Sequence, residues 1–323
     1  METLTISDGV AEAVIVPGLG AGLASYDLLG EAGPVPLFRP CRDLAHAHPF
    51  DLAHNLLLPW SGRISGGGFR FDGTFHELAP NLEGERLPIH GNGFSSAWNT
   101  EQHTTTQASL VLQSDGPGPY RYDARVTYRL DDGALRIDLA ITHRGDRRLP
   151  YGLGLHPWFP RTPATSLQAR ATTVTLEDSR HLPAGQLPVT SREDWDFGVP
   201  RRLPGAWINN DFWPWDGGAE IAWPERGLGL TVDTCGDPRL TTYILYSPAS
   251  DAPFFCFEPV MHPVDAHNRS GGPEANGLAV LAAGQSLSVQ CRFRPHRLPS
   301  GAADNTTGES RTLCLASGIA LPK

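Results

Sequence analysis

The sequence has no apolar run long enough to cross a bilayer, no glycine-rich phosphate loop and no dinucleotide fingerprint. Membrane-spanning helices and nucleotide chemistry are therefore not expected. Basic residues are few: 26 Lys and Arg stand against 35 Asp and Glu, a net charge of −9. No basic stripe is available to neutralise a phosphate backbone, which argues against a nucleic-acid partner. Cysteine is sparse as well. The five residues Cys41, Cys235, Cys256, Cys291 and Cys314 are odd in number, scattered and without C-x-x-C spacing. That pattern suggests neither a disulfide framework nor a zinc site. The first residues lack the basic and apolar segments of a signal peptide, so a soluble cytoplasmic protein is expected. The matches to the glycosylation pattern at Asn268-Arg269-Ser270 and Asn305-Thr306-Thr307 then carry no weight. Long amphipathic helices are also missing, the one modest candidate being the stretch around residues 42–48.

Glycine and proline, by contrast, are abundant and evenly spread, at 35 and 29 residues. Punctuation of that density favours short strands joined by turns. Apolar residues alternate at Tyr122, Ala124, Val126, Tyr128 and Leu130, and again at Leu135, Ile137, Leu139 and Ile141, across an Asp131-Asp132-Gly133 turn. This is the pattern of a β-hairpin. Further strands are expected at residues 13–16, 110–113, 173–176, 228–232, 242–246 and 254–257. A second hairpin is expected from residues 278–281 and 287–293 through Ala283-Gly284-Gln285. The expected fold class is all-β, a large antiparallel β-sandwich formed by residues 1–296 as one domain. The small polar residues of 297–323 read as a flexible C-terminal tail.

Chemistry is suggested first by Glu258, which sits in the apolar run Pro253-Phe254-Phe255-Cys256-Phe257-Glu258-Pro259 with no opposite charge beside it. A buried, unpaired carboxylate costs several kcal/mol, so such a residue usually holds a proton or serves as a reactive group. His156 stands in a similar setting, Gly154-Leu155-His156-Pro157-Trp158-Phe159. A histidine and a carboxylate in a dry aromatic cleft make a general acid–base pair. Three more places offer ligand-binding groups. Arg63 follows a Ser61-Gly62 turn, His90-Gly91-Asn92-Gly93-Phe94 brings a histidine into a glycine-rich turn that ends at Trp98, and Asn209-Asn210-Asp211 stands beside Trp213 and Trp215. Amides, carboxylates, an arginine fork and aromatic faces together suit a neutral polyol, whose hydroxyls need donors and acceptors and whose C–H faces stack on rings. Taken singly, each has a plainer reading as a core histidine, a turn or a surface arginine. His46, His48 and His54 invite a metal reading, but Pro49 and Phe50 break the spacing and no carboxylate matches it, so no metal is expected.

In this order, the Asn55–Arg63 segment, the His90 turn, His156-Pro157-Trp158-Phe159, Asp211 and Phe257-Glu258-Pro259 resemble the aldose 1-epimerase (galactose mutarotase) family, in particular a bacterial branch of it. The resemblance implies a galactose mutarotase-like supersandwich, no cofactor, and interconversion of the α and β anomers of a free monosaccharide. On that pattern Glu258 is the base for the anomeric hydroxyl, His156 the acid for the ring oxygen, and Arg63, His90 and Asp211 bind the sugar. The chain departs from the family pattern in two places. Gly62 stands where mutarotases usually carry Asn before the arginine, and Trp158-Phe159-Pro160 replaces Tyr-Phe-Asn; Asp211 also has different surroundings. The rival readings are a hexose-6-phosphate 1-epimerase, with Arg63, Arg86 and Arg161 as phosphate ligands, a glycosidase-like enzyme with two carboxylates on the same architecture, and a non-catalytic sugar-binding protein.

Overall fold

The computed structural model describes residues 1–236 and 240–299; the expected tail from residue 300 on, with Cys314, lies outside the described residues. Eighteen strands form one continuous antiparallel sheet that folds over on itself into two layers around a single large core. Helical structure among the described residues is confined to single 3-10 turns, and none is long and apolar enough to cross a membrane. The stretch near residues 42–48 is one of these turns, Leu44–His46, started by the Asp43 carboxylate accepting from the Ala45 N–H. His48 then caps a second turn at Pro49–Asp51, because Pro49 supplies no N–H to continue the first.

Six strands build the layer that carries the site: β1 (His54–Leu57), β2 (Gly154–Pro160), β3 (Ser166–Glu177), β4 (Ile208–Trp223), β5 (Thr242–Ser247) and β6 (Phe254–Val260). Their order across the sheet is β1-β2-β6-β5-β4-β3, antiparallel throughout. Strand alternation gives this layer two unlike faces. Phe159, Phe255, Phe257, Tyr243 and Phe212 form a nearly continuous ladder of rings on the core side. Phe159 and Phe255 lie 5.3 Å apart, and the Phe257–Tyr243 and Tyr243–Phe212 pairs are each 4.8 Å apart. Each buried ring contributes roughly 1.5–3 kcal/mol of transfer free energy. The second layer runs through Gln107–Ser114, Tyr122–Asp131, Ala134–His143, Ser286–Arg297 and Leu228–Cys235. Phe293 from that layer reaches across the core to Phe38 at 5.1 Å and Phe159 at 6.5 Å.

β4 connects the layers. Its first half pairs with β5 and its second half, Gly218–Trp223, with Leu228–Cys235. Between them the strand bends, where Pro214 withholds a ladder donor and Gly217 takes a φ of 91° that favours glycine.

The Asp131–Gly133 hairpin forms as expected, with Asp132 and Gly133 both at positive φ and Asp131 facing Ala134. The second expected hairpin does not. Ala279–Leu281 pairs with Leu149–Tyr151, while Ser286–Arg297 pairs with Ala134–His143 and Leu228–Cys235. The turn between them docks on the end of a neighbouring strand: the Gly284 N–H donates to the His143 carbonyl at 2.8 Å, and the His143 N–H to the Gln285 carbonyl at 2.9 Å. Those bonds pull the two segments to different partners.

His54, at the start of β1, turns to the core side and is fully buried between Phe38 and Tyr128; neither ring nitrogen meets a hydrogen-bond partner among the described residues. Burial, helped by His156 nearby, pushes its pKa down to about 3. The unfolded chain therefore takes up a proton near pH 6.5 that the folded chain refuses until about pH 3, and stability is lost as pH falls through that window. His54→Leu removes both unpartnered nitrogens. In denaturant titrations, the stability difference between pH 7 and pH 4.5 is expected to shrink by roughly 2–3 kcal/mol, with no loss at pH 7. An unchanged difference would mean that His54 is not the residue that refuses the proton.

Candidate active site

The register of the cleft face puts the expected residues in one row. Gly154 faces Val260 and Trp158 faces Cys256 across β2 and β6, so His156 stands opposite Glu258. His156 also pairs with Asn55 on β1, Glu258 with Ile244 on β5, and Ile244 with Asp211 on β4. Asn55, His156, Glu258, Ile244 and Asp211 thus cross five neighbouring strands. The apolar run around Glu258 is two faces read as one, with Phe255 and Phe257 in the core and Phe254, Cys256 and Glu258 on the cleft side.

His156 Nε2 lies 3.4 Å from Glu258 Oε1, and both side chains are buried. Burial pushes the Glu258 carboxyl up to about 8, against a weaker opposing pull from Arg63. Burial likewise pushes His156 down to about 3, with Arg39 adding to that shift and a local backbone hydrogen bond opposing it. Over the wide interval between these values the pair holds one proton, carried by Glu258 with His156 neutral, across a contact short enough for the proton to pass. His156 Nδ1 and Glu258 Oε2 meet no hydrogen-bond partner among the described residues.

His156 is fixed by packing against two rings that also touch each other, Phe50 and Trp158 lying 6.0 Å apart. Trp158 covers one face at 4.9 Å and Phe50 packs at 5.7 Å, both nearly parallel to the imidazole. The Trp158 indole N–H donates to Asn55 Oδ1 at 3.2 Å, and the Arg39 guanidinium lies 4.2 Å over the indole. Arg39 closes the stack by donating to the carbonyls of Phe50 at 2.6 Å and Leu52 at 3.1 Å.

His90 faces the same space, its ring 5.5 Å from that of His156. Its backbone takes a φ of 57°, an uncommon conformation for a non-glycine residue. Two bonds hold it there: the His90 N–H donates to the Gly62 carbonyl and the Gly62 N–H donates to His90 Nδ1, each at 3.0 Å. Burial keeps the ring neutral, so with Nδ1 accepting, its proton is on Nε2. The next residue must be glycine, since a Cβ on Gly91 would lie 2.0 Å from the Leu58 carbonyl. The turn that supplies Gly62 is held in turn by His262, which accepts from the Ser61 N–H at 3.2 Å.

Arg63 exerts an electrostatic pull on Glu258 but binds Glu85 with Nε and Nη2, at 3.1 and 2.7 Å. Its Nη1 has no protein acceptor among the described residues. Asp211 is placed differently from a free ligand group. It is 2 % exposed, and its Oδ1 accepts from Arg269 at 3.1 Å and from the Val264 N–H at 3.0 Å. The carboxylate is thus committed to bracing the Val264–Arg269 loop beside the row, and the neighbouring Asn210 is likewise spent on the Thr175 carbonyl. Of the arginines considered for a phosphate, Arg161 is committed to Ser247 and the carbonyls of Ala249 and Pro204.

The tryptophans expected to meet a sugar mostly do not. Trp98 and Trp215 are buried, each donating to a glycine carbonyl. Trp158 and the half-buried Tyr246 line the cleft instead, and Tyr246 could have been found from strand parity, two residues on from Ile244. Arg39, Phe50 and Glu85 carry no sequence signal, because loops bring them in. His46, His48 and His54 do not gather. The group of metal-ligand type among the described residues is His90, His156 and Glu258, whose ligand atoms all lie within 4.8 Å of one another.

Comparison with known proteins gives the family and the fold. The profile of the aldose 1-epimerase family matches residues 2–294. YphB, an uncharacterised protein of Escherichia coli K12, is 33% identical over 265 residues, 80% of this chain and 88% of its own. A crystal structure of an E. coli K12 protein provisionally called an aldose 1-epimerase superposes with a TM-score of 0.83 at 29% identity, covering 92% of this chain and 99% of that one. A galactose 1-epimerase from Lactobacillus acidophilus shares the fold with a TM-score of 0.71 at 17% identity, over 91% and 94% of the two chains.

The bracing role of Asp211 is testable by unpairing it. Arg269→Met leaves a buried carboxylate without its cation and is expected to cost about 3–5 kcal/mol in denaturant unfolding. The double variant Asp211→Leu/Arg269→Met removes both charges and is expected to be more stable than the single one. A single variant as stable as the wild type would show that Asp211 is free of this duty.

Proposed function

The chain belongs to the aldose 1-epimerase family, and from that membership together with the His156–Glu258 contact we propose that it interconverts the α and β anomers of a free aldose. The observation that carries the reading is the 3.4 Å approach of two buried groups that hold one proton between them. Glu258 as carboxylate accepts the proton of the anomeric hydroxyl, while His156 as imidazolium gives its Nε2 proton to the ring oxygen. The C1–O5 bond breaks and the C1 carbonyl forms. Rotation about C1–C2 presents the other face, and closure returns both protons. The free pair is neutral acid and neutral imidazole; the reactive form is the ion pair reached when the proton passes from Glu258 to His156, and ring opening returns the pair to its neutral form. Burial favours the neutral pair and raises the energy of the ion pair, so ring opening relieves a charge separation that the dry site disfavours. His90 Nε2–H donates to a sugar oxygen beside the pair, and Arg63 Nη1 to a hydroxyl. Mutarotation already proceeds slowly in water, so an acid and a base contributing roughly 10² to 10⁴ each are sufficient.

Glu258→Gln keeps the shape and removes the base. Polarimetry on freshly dissolved α-D-glucose and α-D-galactose is expected to show kcat reduced by roughly 10² or more; His156→Asn does the same, and the double variant is little worse than either. kcat/KM is expected to hold through neutral pH and to fall above about pH 8, where the pair loses its one proton and with it the acid; the acid limb lies toward pH 3. Near-normal rates in a folded Glu258→Gln protein would remove the assignment.

A proton-transfer mechanism also requires full activity after exhaustive chelation. The His90–His156–Glu258 group makes this a strict test. Activity lost to a chelator and restored by one divalent ion would mean that these side chains hold a metal.

A further inference from the structure

The cleft floor continues beyond the acid–base pair. The next row on the same face is Trp158, Cys256, Tyr246 and Asn209, each opposite its neighbour on β2, β6, β5 and β4. Beyond it, just before β4, stands Trp207, 44 % exposed and the one tryptophan among the exposed large apolar side chains of the described residues. Its ring is nevertheless fixed. The indole N–H donates to Glu177 Oε1 at 2.7 Å, and Glu177 Oε2 accepts from Asn209 Nδ2 at 2.9 Å and meets His181 Nδ1 at 2.8 Å. His181 stacks on the indole at 5.8 Å and Tyr246 stands against it at 5.3 Å. The Tyr246 hydroxyl meets no protein partner among the described residues.

An exposed indole held by a charged hydrogen bond costs side-chain entropy and gains little burial, which is the arrangement of a surface built for a ligand. A single sugar at the pair does not reach it. Two strand spacings of about 4.8 Å across and four residues of about 3.3 Å along place Trp207 roughly 16 Å from Glu258 between Cα atoms. The aromatic path between them is continuous, with steps of 4.9 Å from His156 to Trp158, 6.4 Å to Tyr246 and 5.3 Å to Trp207.

We propose that Trp207, Tyr246 and the Glu177–Asn209 pair form a second sugar subsite, so that the preferred substrate is a reducing oligosaccharide. Its reducing-end ring lies on His156 and Glu258, and its next ring stacks on Trp207. Asn209 and the Tyr246 hydroxyl meet hydroxyls of that second ring. The inference rests on the anomer-interconversion reading and adds the substrate class to it.

The test measures mutarotation of maltose, cellobiose, lactose and melibiose beside glucose and galactose, by polarimetry, for the wild type, Trp207→Ala and Trp207→Phe. For at least one disaccharide the wild-type kcat/KM is expected to exceed that of its own reducing-end monosaccharide about tenfold, and Trp207→Ala to bring that ratio close to one through KM. Trp207→Phe keeps a ring but loses the bond to Glu177 and falls between. Matching circular dichroism and Tm show that the variants are folded, and calorimetric binding of the favoured disaccharide to Glu258→Gln, weakened by adding Trp207→Ala, gives a reading independent of turnover. Monosaccharides accelerated with no disaccharide preferred, or a ratio unmoved by Trp207→Ala, would overturn the subsite alone. No sugar accelerated at all would overturn the anomer reading and the subsite with it.

Discussion

Two ionisable groups that burial drives toward opposite protonation states are held face to face on neighbouring strands. A carboxyl pushed up to about 8 and an imidazole pushed down to about 3 would each be a costly defect alone. Opposed across β2 and β6, they need only one proton between them and can pass it without net charge entering or leaving the dry site. The remainder of the cleft is arranged around keeping that contact dry and rigid.

Rigidity comes from stacking and from the backbone more than from charge. The Arg39–Trp158–His156–Phe50 stack closes on itself, because Arg39 both covers the indole and holds the carbonyl of Phe50. On the other side, the Gly62–His90 pair of bonds keeps a histidine at positive φ and selects its tautomer. Such local strain is maintained where the surroundings over-determine it, and Gly91, Ser61 and His262 do that here. Asp211 serves the same end. Its carboxylate braces the loop of Val264 and Arg269, in a place where a free carboxylate would have added a second unpaired buried charge beside Glu258.

The same face of the sheet carries the proposed acid–base pair and, in later rows, the proposed second subsite. Successive rows on one face lie two residues apart along each strand, so the row of His156 and Glu258 is followed by that of Trp158 and Tyr246, and then by Trp207.

Much of this was legible in the residues in order. Period-two alternation located most strands and the Asp132-Gly133 hairpin, since the pleat imposes its period on any half-buried strand. Glu258 and His156 stood out because a charge in an apolar run has few bland explanations. What order could not supply was pairing. The second expected hairpin failed because its two halves found other strands, and Asp211 lay in the right row yet had its oxygens claimed by Arg269 and Val264, more than fifty residues away. Arg39, Phe50, Glu85 and Trp207 enter the cleft through loops and strand ends whose positions depend on long-range docking. Local composition determines which residues are reactive and which face of a strand they take; only the folded sheet decides which of them meet, because hydrogen-bond partners and burial are properties of neighbours distant in the chain.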